Sequence, residues 1–221
     1  MSPASKKRLG ILISGRGSNM QAFIQACAKQ QLNADIAIVI SNNPDAAGLE
    51  LAHAAGIATQ TVDHRLFASR EAFDAALVEC LQAHRADLVI LAGFMRILTP
   101  TFISPYAGRL LNIHPSLLPK YPGLNTHQRA LEAGDSEAGV TVHFVTPELD
   151  GGPPILQARV SIEPDDTAAT LASRVISQEH SIYPLAASWF VDERLTLKDG
   201  RACLDGEALG PTGVDYASYT H

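Results

Sequence analysis

An amide and an imidazole stand two residues apart within residues 109–119, which read RLLNIHPSLLP. The apolar first part predicts a short buried strand at 109–113. Side chains two apart on a strand share a face, so Asn112 and His114 should point the same way at its carboxyl end. Pro115 disfavours a helical backbone at His114. An amide that donates to an oxyanion and an imidazole that carries a proton near neutral pH suit acyl transfer, although the pair could merely tie down a loop.

A glycine-rich turn follows the first predicted strand. Residues 9–14 are an apolar run typical of a strand buried on both faces, and residues 20–28 carry apolar side chains at helical spacing. The intervening GRGSN would place backbone N–H groups at the positive end of a helix dipole, which favours an anion such as phosphate. Ser18 and Asn19 could donate to that anion or cap the helix, and a plain capped turn is the alternative. The dinucleotide fingerprint and the P-loop pattern are both absent.

A carboxylate lies in a second glycine-rich bend, residues 148–153, which read ELDGGP. Asp150 stands beside two glycines, so it can approach another group with little steric obstruction. If it meets His114, it would favour the charged imidazolium. An Asp-Gly turn is the commoner use of such a dipeptide, and the sequence alone leaves the contact open.

The elements that would position these residues alternate along the first half of the chain. Strands are predicted at 9–14, 34–40, 57–62 and 88–91, with helices between them at 20–28, 44–55 and 70–84. Asn43 with Pro44 should open the second helix, and Ser69 should cap the third. This order predicts an α/β fold, doubly wound, with a mostly parallel sheet, helices on both faces and ligands at the carboxyl ends of the strands.

The second half adds an antiparallel C-terminal part. A short helix is predicted at 100–106, a helix at 126–133, and a hairpin of strands 139–145 and 155–162. Asp165, Asp166 and Thr167 should cap a helix at 168–180, with a break at Tyr183-Pro184 and an apolar segment, 185–190, after it. A last hairpin joins 195–198 with 202–204, and the chain should fray beyond Glu207. We expect a single domain over 1–221, with a core at 8–205 and flexible ends at 1–7 and 206–221.

Composition excludes several classes of protein. Hydrophobic residues make up 46% and charged residues 18%, an ordinary composition for a soluble globular chain. No apolar run is long enough to span a membrane, and the start does not resemble a signal peptide. The net charge of −6 argues against coating nucleic acid. Three scattered cysteines without a CxxC pattern indicate the reducing cytoplasm, and the histidines show no metal-ligand spacing.

Five motifs together resemble a known family. They are SGRGSN (14–19), LAGFMRIL (91–98), LNIHPSLLPKYPG (111–123), VHFV (142–145) with ELDGG (148–152), and QEHSIYP (178–184). The chain is similar over about residues 8–205 to the phosphoribosylglycinamide formyltransferase family of folate-dependent enzymes. NIHPSLLP also occurs in other formyl-tetrahydrofolate enzymes, whereas the GSN turn and the QEH segment indicate glycinamide ribonucleotide as acceptor. Asn125 and Pro154 depart from the family pattern, outside the catalytic motifs.

The resemblance implies transfer of a formyl group from 10-formyltetrahydrofolate, a co-substrate, to the amine of glycinamide ribonucleotide in purine synthesis. The amine would attack directly, with no covalent enzyme intermediate and no metal. Carried over by position, the implied catalytic residues are Asn112, His114 and Asp150. The implied phosphate and ribonucleotide ligands are Gly17, Ser18, Asn19, Pro115, Ile176 and Glu179. The implied folate-binding residues are Arg70, Met95, Arg96, Ile97, Leu98, Asn112, Val145 and Asp150.

Four alternatives remain open at this point. A formyltetrahydrofolate hydrolase would use water as acceptor, and a methionyl-tRNA formyltransferase would carry a further C-terminal domain. A silent nucleotide-binding module would need the phosphate turn alone, and a metal hydrolase would use His114, His143 and Asp150. We expect small-molecule partners only, with no nucleic acid and no membrane, a monomer or homodimer, and a cytoplasmic location. A contact from Arg16 or Lys120 to the anionic substrate is left open.

Overall fold

The structure, a computed structural model, describes residues 6–219. It contains a mostly parallel sheet with helices and a small antiparallel sheet near the C-terminus, which confirms the predicted fold class. The chain divides into two compact units, with the boundary after Leu111. The expectation of a single domain stays a prediction.

The first unit is a parallel α/β arrangement. Its strands are hydrogen-bonded in the order β4-β1-β2-β3. Strands β1 and β4 are almost wholly buried, as their uninterrupted apolar sequences predict. The strands are β1 (Lys7–Ile13), β2 (Ala34–Ser41), β3 (Thr59–Thr61) and β4 (Leu88–Leu91). The helices are α1 (Ser18–Ala28), α2 (Ala47–Ala54), α3 (Arg70–Ala83) and α4 (Pro100–Ile103), with 3₁₀ turns at His64–Leu66 and Ser104–Tyr106.

The start of α2 was predicted wrongly. Asn43 Oδ1 accepts the backbone N–H of Asp45 at 3.1 Å, which closes a turn instead of opening a helix. The helix begins at Ala47, with Ala46 as an N-cap that makes no side-chain bond. The two other predicted caps are confirmed, because Ser69 Oγ accepts from Ala72 N at 3.1 Å and Thr167 forms a capping box.

The second unit contains an antiparallel pair of strands and one long helix. Strand β5 (Leu110–His114) enters this unit at Asn112, and the order of strands is β11-β7-β6-β5. Strands β6 and β7 pair antiparallel, as the predicted hairpin requires. The strands are β6 (Glu137–Phe144), β7 (Pro154–Ser161) and β11 (Val214–Asp215), with β8 (Leu195–Lys198), β9 (Arg201–Leu204) and β10 (Glu207–Ala208) in the small sheet. The helices are α5 (Thr126–Glu132), α6 (Ala168–Val191) and α7 (Tyr216–Tyr219).

The predicted break in α6 was wrong. The helix continues from Ala168 to Val191 with Pro184 inside it. An internal proline costs about 3 kcal/mol, but large apolar side chains each recover about 1.5–3 kcal/mol on full burial. Tyr183 and Trp189, on either side of the proline, are 0% and 1% exposed. Burial on both sides therefore outweighs the lost hydrogen bond.

The C-terminal tail has regular structure where we expected an irregular segment. Strand β11 pairs in parallel with β7, Val214 opposite Leu156, and so occupies the backbone groups at that edge. The indole N–H of Trp189 donates to Tyr219 Oη at 3.2 Å, with ring centroids 5.0 Å apart. Residues 1–5, 220 and 221 of the expected flexible ends lie outside the described residues.

Candidate active site

Strand β5 delivers an amide and an imidazole to the site. Asn112 is half-buried, and His114 is 6% exposed. His114 Nε2 lies 2.8 Å from the carbonyl oxygen of Tyr121. A carbonyl oxygen only accepts, so the hydrogen-bond network assigns a proton to Nε2. The other ring nitrogen, Nδ1, is therefore left for a different partner.

The Asp150 carboxylate faces that second nitrogen. Its Oδ2 lies 3.5 Å from His114 Nδ1, within reach of charge attraction but longer than a strong hydrogen bond. The same oxygen accepts from the backbone N–H of Gly123 at 2.8 Å. Asp150 itself has a left-handed backbone, with φ of 50°. The structure thus brings together two residues whose contact the sequence left open.

The bend that carries Asp150 depends on a glycine. A Cβ on Gly152 would lie 1.8 Å from the carbonyl oxygen of Phe144. No side chain fits there, because real Cβ atoms do not approach backbone oxygen so closely. Gly152 therefore lets the chain pass directly over the end of β6 and hold Asp150 next to His114.

A second buried imidazole, His143, is part of this cluster, and the sequence indicated it only as a ligand in the metal-hydrolase alternative. It is 2% exposed. Its Nδ1 lies 2.8 Å from the Phe144 carbonyl oxygen, and its Nε2 lies 3.1 Å from Asn112 Nδ2 and 4.0 Å from Asp150 Oδ1. Burial lowers the pKa of His143 below its ordinary 6.5, so the ring is neutral at neutral pH. The available signal was period two in β6, which aligns His143 with Thr141 on one face.

Buried side chains of two paired strands hold the loop after His114. Thr141 Oγ1 donates to the Ser116 carbonyl at 2.7 Å and accepts from Leu118 N at 3.0 Å. Gln157, opposite Thr141 in the β6–β7 register, donates through Nε2 to the Leu118 carbonyl at 2.8 Å. Each such bond contributes about 1 kcal/mol. Together they pair the Ser116 carbonyl and both the N–H and the carbonyl of Leu118. Hydrogen bonds from β6 and β7 thus hold the loop that carries Tyr121.

Lys120, one of the cations that could meet an anionic substrate, has a partner in the protein. Its Nζ lies 2.9 Å from Asp135 Oδ1. Tyr121 Oη donates to the same carboxylate at 2.8 Å. The hydrogen bond from Lys120, and to a smaller extent the one from Tyr121, holds the pKa of Asp135 below its usual range. The Lys120 charge is therefore already matched.

The glycine-rich turn forms the N-terminus of α1. Gly17 is the N-cap residue, with φ of 72°, and its carbonyl accepts the N–H of Gln21 at 2.9 Å. A Cβ at Gly17 would lie 3.0 Å from Met20 Cε. Ser18 and Asn19 are the first two residues of the helix, so neither of them is its N-cap residue. Ser18 is exposed and Asn19 is buried.

The apolar segment after β4 is tied to the residue that precedes this turn. Ser14 Oγ accepts from Met95 N at 2.8 Å and donates to Asn42 Oδ1 at 2.6 Å. Arg70 Nη2 donates to the Ile97 carbonyl at 2.6 Å. Met95 and Ile97 are 69% and 60% exposed, so the segment displays two apolar side chains. Leu98 is buried, and Arg96 is half-buried.

The remaining predicted binding residues lie in the second unit. Pro115 follows β5, and Val145 follows β6, both half-buried. Ile176 and Glu179 lie three apart on α6, Ile176 partly exposed and Glu179 buried. Within residues 6–219 there is no group of three His, Cys, Asp or Glu side chains that could hold a metal ion. The helices of the same stretch include none long and apolar enough to cross a membrane.

Comparison with known proteins identifies the family. The formyl transferase family model matches residues 7–187. The chain is 56% identical to phosphoribosylglycinamide formyltransferase of Escherichia coli over 92% of this chain and 96% of that one. It is 50% identical to the Haemophilus influenzae protein of the same name, over 94% of this chain and 98% of that one. The structure matches the Coxiella burnetii phosphoribosylglycinamide formyltransferase with a TM-score of 0.92 at 48% identity, covering 96% of this chain and 100% of that chain. The resemblance seen in the motifs is confirmed, and the chain belongs to the formyl transferase family.

Proposed function

We propose that this protein transfers the formyl group of 10-formyltetrahydrofolate to the amine of glycinamide ribonucleotide, a step of purine synthesis. The observation that carries the proposal is the cluster of Asn112, His114 and Asp150, in which the Asp150 carboxylate lies 3.5 Å from His114 Nδ1. Binding alone would not require these three groups together. The relatives named for the same reaction support the choice of donor and acceptor.

The proposed reaction uses two kinds of hydrogen-bond donor. The substrate amine attacks the formyl carbon, a C–N bond forms, and the carbonyl electron pair moves to oxygen. The Asn112 amide and protonated His114 Nδ1 stabilise that oxyanion, at about 3 kcal/mol for a well-placed donor. The bond from the formyl carbon to N10 then breaks while a proton passes from the attacking nitrogen to N10. Asp150 keeps the imidazole charged and assists that transfer through a water molecule.

The acceptor phosphate is assigned to the start of α1. The helix dipole and the N–H groups of the first turn favour an anion there. Gly17 suits a close approach of the backbone to the phosphate, because it has no side chain and its φ is 72°. A Cβ at this position would also lie 3.0 Å from Met20 Cε. Further ligands proposed for the phosphate and ribonucleotide are Ser18, Asn19, Pro115, Ile176 and Glu179.

The folate is assigned to the segment after β4 and its neighbours. Two exposed apolar side chains, Met95 and Ile97, suit a flat aromatic ligand. Arg70 provides a cation beside Ile97, because its guanidinium donates to that carbonyl. The full set proposed for folate is Arg70, Met95, Arg96, Ile97, Leu98, Asn112, Val145 and Asp150. The proposed reaction needs no metal. We further propose that the enzyme is cytoplasmic, consists of one domain, and is a monomer or homodimer.

The test is a product assay with purified protein and 10-formyltetrahydrofolate, with and without glycinamide ribonucleotide. We expect folate product only with the acceptor, together with formylated ribonucleotide and no free formate. Formate released without acceptor would make the protein a hydrolase. Binding of both ligands without turnover would leave a binding module. A rate that falls in chelator would favour the metal hydrolase.

A further inference from the structure

We infer that His143 is a positioning residue for formyl transfer, holding the amide of Asn112 in one orientation through a neutral imidazole. The inference rests on the proposed function, because it concerns the same reaction. His143 is not assigned a role by the motif resemblance, which places only Asn112, His114 and Asp150 in the catalytic set. The proposal follows from the hydrogen bonds that the two ring nitrogens of His143 make.

The tautomer of His143 follows from one backbone contact. Nδ1 lies 2.8 Å from the Phe144 carbonyl oxygen, which can only accept. Nδ1 therefore carries the ring proton, and in the neutral ring Nε2 has only a lone pair. Because the ring is 2% exposed and its pKa is lowered by burial, the neutral form is the relevant one.

That lone pair determines which atom of the Asn112 amide faces His143. Nδ2 lies 3.1 Å from Nε2, so the amide donates to the imidazole. If the amide turned over, Oδ1 would face the lone pair, and two acceptors would repel each other. The second N–H of Nδ2 and the Oδ1 atom consequently keep fixed directions. A donor for the oxyanion is useful only in such a preorganised orientation.

A buried histidine could also be only a packing residue, and the two roles predict different outcomes. A packing role affects folding stability, and its effect on turnover would not depend on Asn112. A positioning role acts through Asn112, so its effect on turnover should disappear when the Asn112 amide is gone. A double-mutant cycle separates the two.

The cycle uses His143→Phe, which keeps a ring of similar size without an acceptor, in the wild-type and Asn112→Ala backgrounds. We expect His143→Phe to lower kcat about 100-fold in the wild type, since a small misplacement of a catalytic group costs that much. In the Asn112→Ala background we expect less than about a 3-fold further loss. His143→Gln, whose Oε1 can accept from Asn112, should recover part of the lost kcat. His84→Phe in α3 is the control for removing a partly buried histidine elsewhere.

Two results would overturn the inference: an equal fold loss in both backgrounds, or unchanged turnover in His143→Phe. If Asn112→Ala alone leaves kcat unchanged, the failure lies in the proposed catalytic set and not in His143 alone. Nitrogen-15 NMR of the wild-type histidines gives a readout that does not depend on any variant folding. It should show His143 Nε2 as an unprotonated ring nitrogen at neutral pH, and a protonated Nε2 would contradict the inference.

Discussion

The Tyr121 carbonyl oxygen lies 2.8 Å from His114 Nε2, so this backbone group engages one ring nitrogen of His114 and leaves Nδ1 for a different partner. That partner is Asp150, whose Oδ2 lies 3.5 Å from His114 Nδ1. The loop after β5 therefore orients the imidazole toward the carboxylate. This relationship links the local backbone to the proposed chemistry.

Substitutions at His114 and Asp150 should affect turnover more than binding. We expect His114→Ala and Asp150→Ala to lower kcat by about 10²–10⁴-fold, the range for loss of an acid–base group, with little change in KM. Steady-state kinetics with both substrates checks this. Comparable kcat with a raised KM would contradict the catalytic assignment.

A matched variant separates the charge of Asp150 from its structural bond. Asp150→Asn keeps an oxygen that can accept from Gly123 N, as the native carboxylate does at 2.8 Å, while it removes the negative charge. We expect Asp150→Asn to lower kcat nearly as far as Asp150→Ala because the charge acts on His114. Full activity in Asp150→Asn would mean that the residue only fixes the loop.

The phosphate turn should discriminate between acceptors with and without a phosphate. Gly17→Ala introduces a Cβ at a φ of 72°, which strains the backbone of the turn, and 3.0 Å from Met20 Cε, which must move by a few tenths of an ångström. We expect kcat/KM for glycinamide ribonucleotide to fall about 10-fold or more, from loss of about 1.4 kcal/mol of phosphate binding. The dephosphorylated acceptor is the control, and its kcat/KM should not change. A similar fall with both acceptors would argue against phosphate binding at this turn.

The bend that carries Asp150 should not tolerate a methyl group at Gly152. Gly152→Ala would put Cβ 1.8 Å from the Phe144 carbonyl oxygen. Overpacking of this kind costs about 1–3 kcal/mol, or a fall in Tm of roughly 2–12 °C for a chain of this size. Gly210→Ala is the matched control, since nothing lies within 4 Å of its Cβ position. Calorimetry of the two variants checks this, and equal Tm values would show that the bend is freely adjustable.

Stability should fall as the solution is acidified below about pH 6.5, in part because of His143. Burial lowers the pKa of His143 in the folded protein, whereas the unfolded chain keeps the ordinary 6.5. Below that pH the unfolded state binds more protons than the folded state, so the free energy of unfolding rises with pH in this window and declines on acidification. Urea unfolding of wild type and His143→Gln at pH 7.5 and 5.5 measures this. We expect a smaller pH dependence in the variant, and identical dependence would contradict the neutral buried ring.

Local sequence determined much of this protein. Apolar runs predicted β1 and β4 because strands of a parallel sheet are buried on both faces, and Ser69 and Thr167 marked the helix starts because their side chains bond to the nearby backbone. The Asn112-x-His114 spacing placed two chemically suitable groups on one strand, and five motifs together indicated the family that the comparisons confirmed. The catalytic roles themselves stay a prediction.

Tertiary structure decided the features that depend on residues distant in the chain. The contact of Asp150 with His114, the donor bond from Asn112 to His143, and the tail strand on β7 all join segments whose proximity no local pattern encodes. Pro184 shows the same limit within a helix. Its local propensity predicts a break, but burial of Tyr183 and Trp189 around it contributes more free energy than the proline costs. Local rules describe what a residue prefers, and packing determines whether that preference prevails.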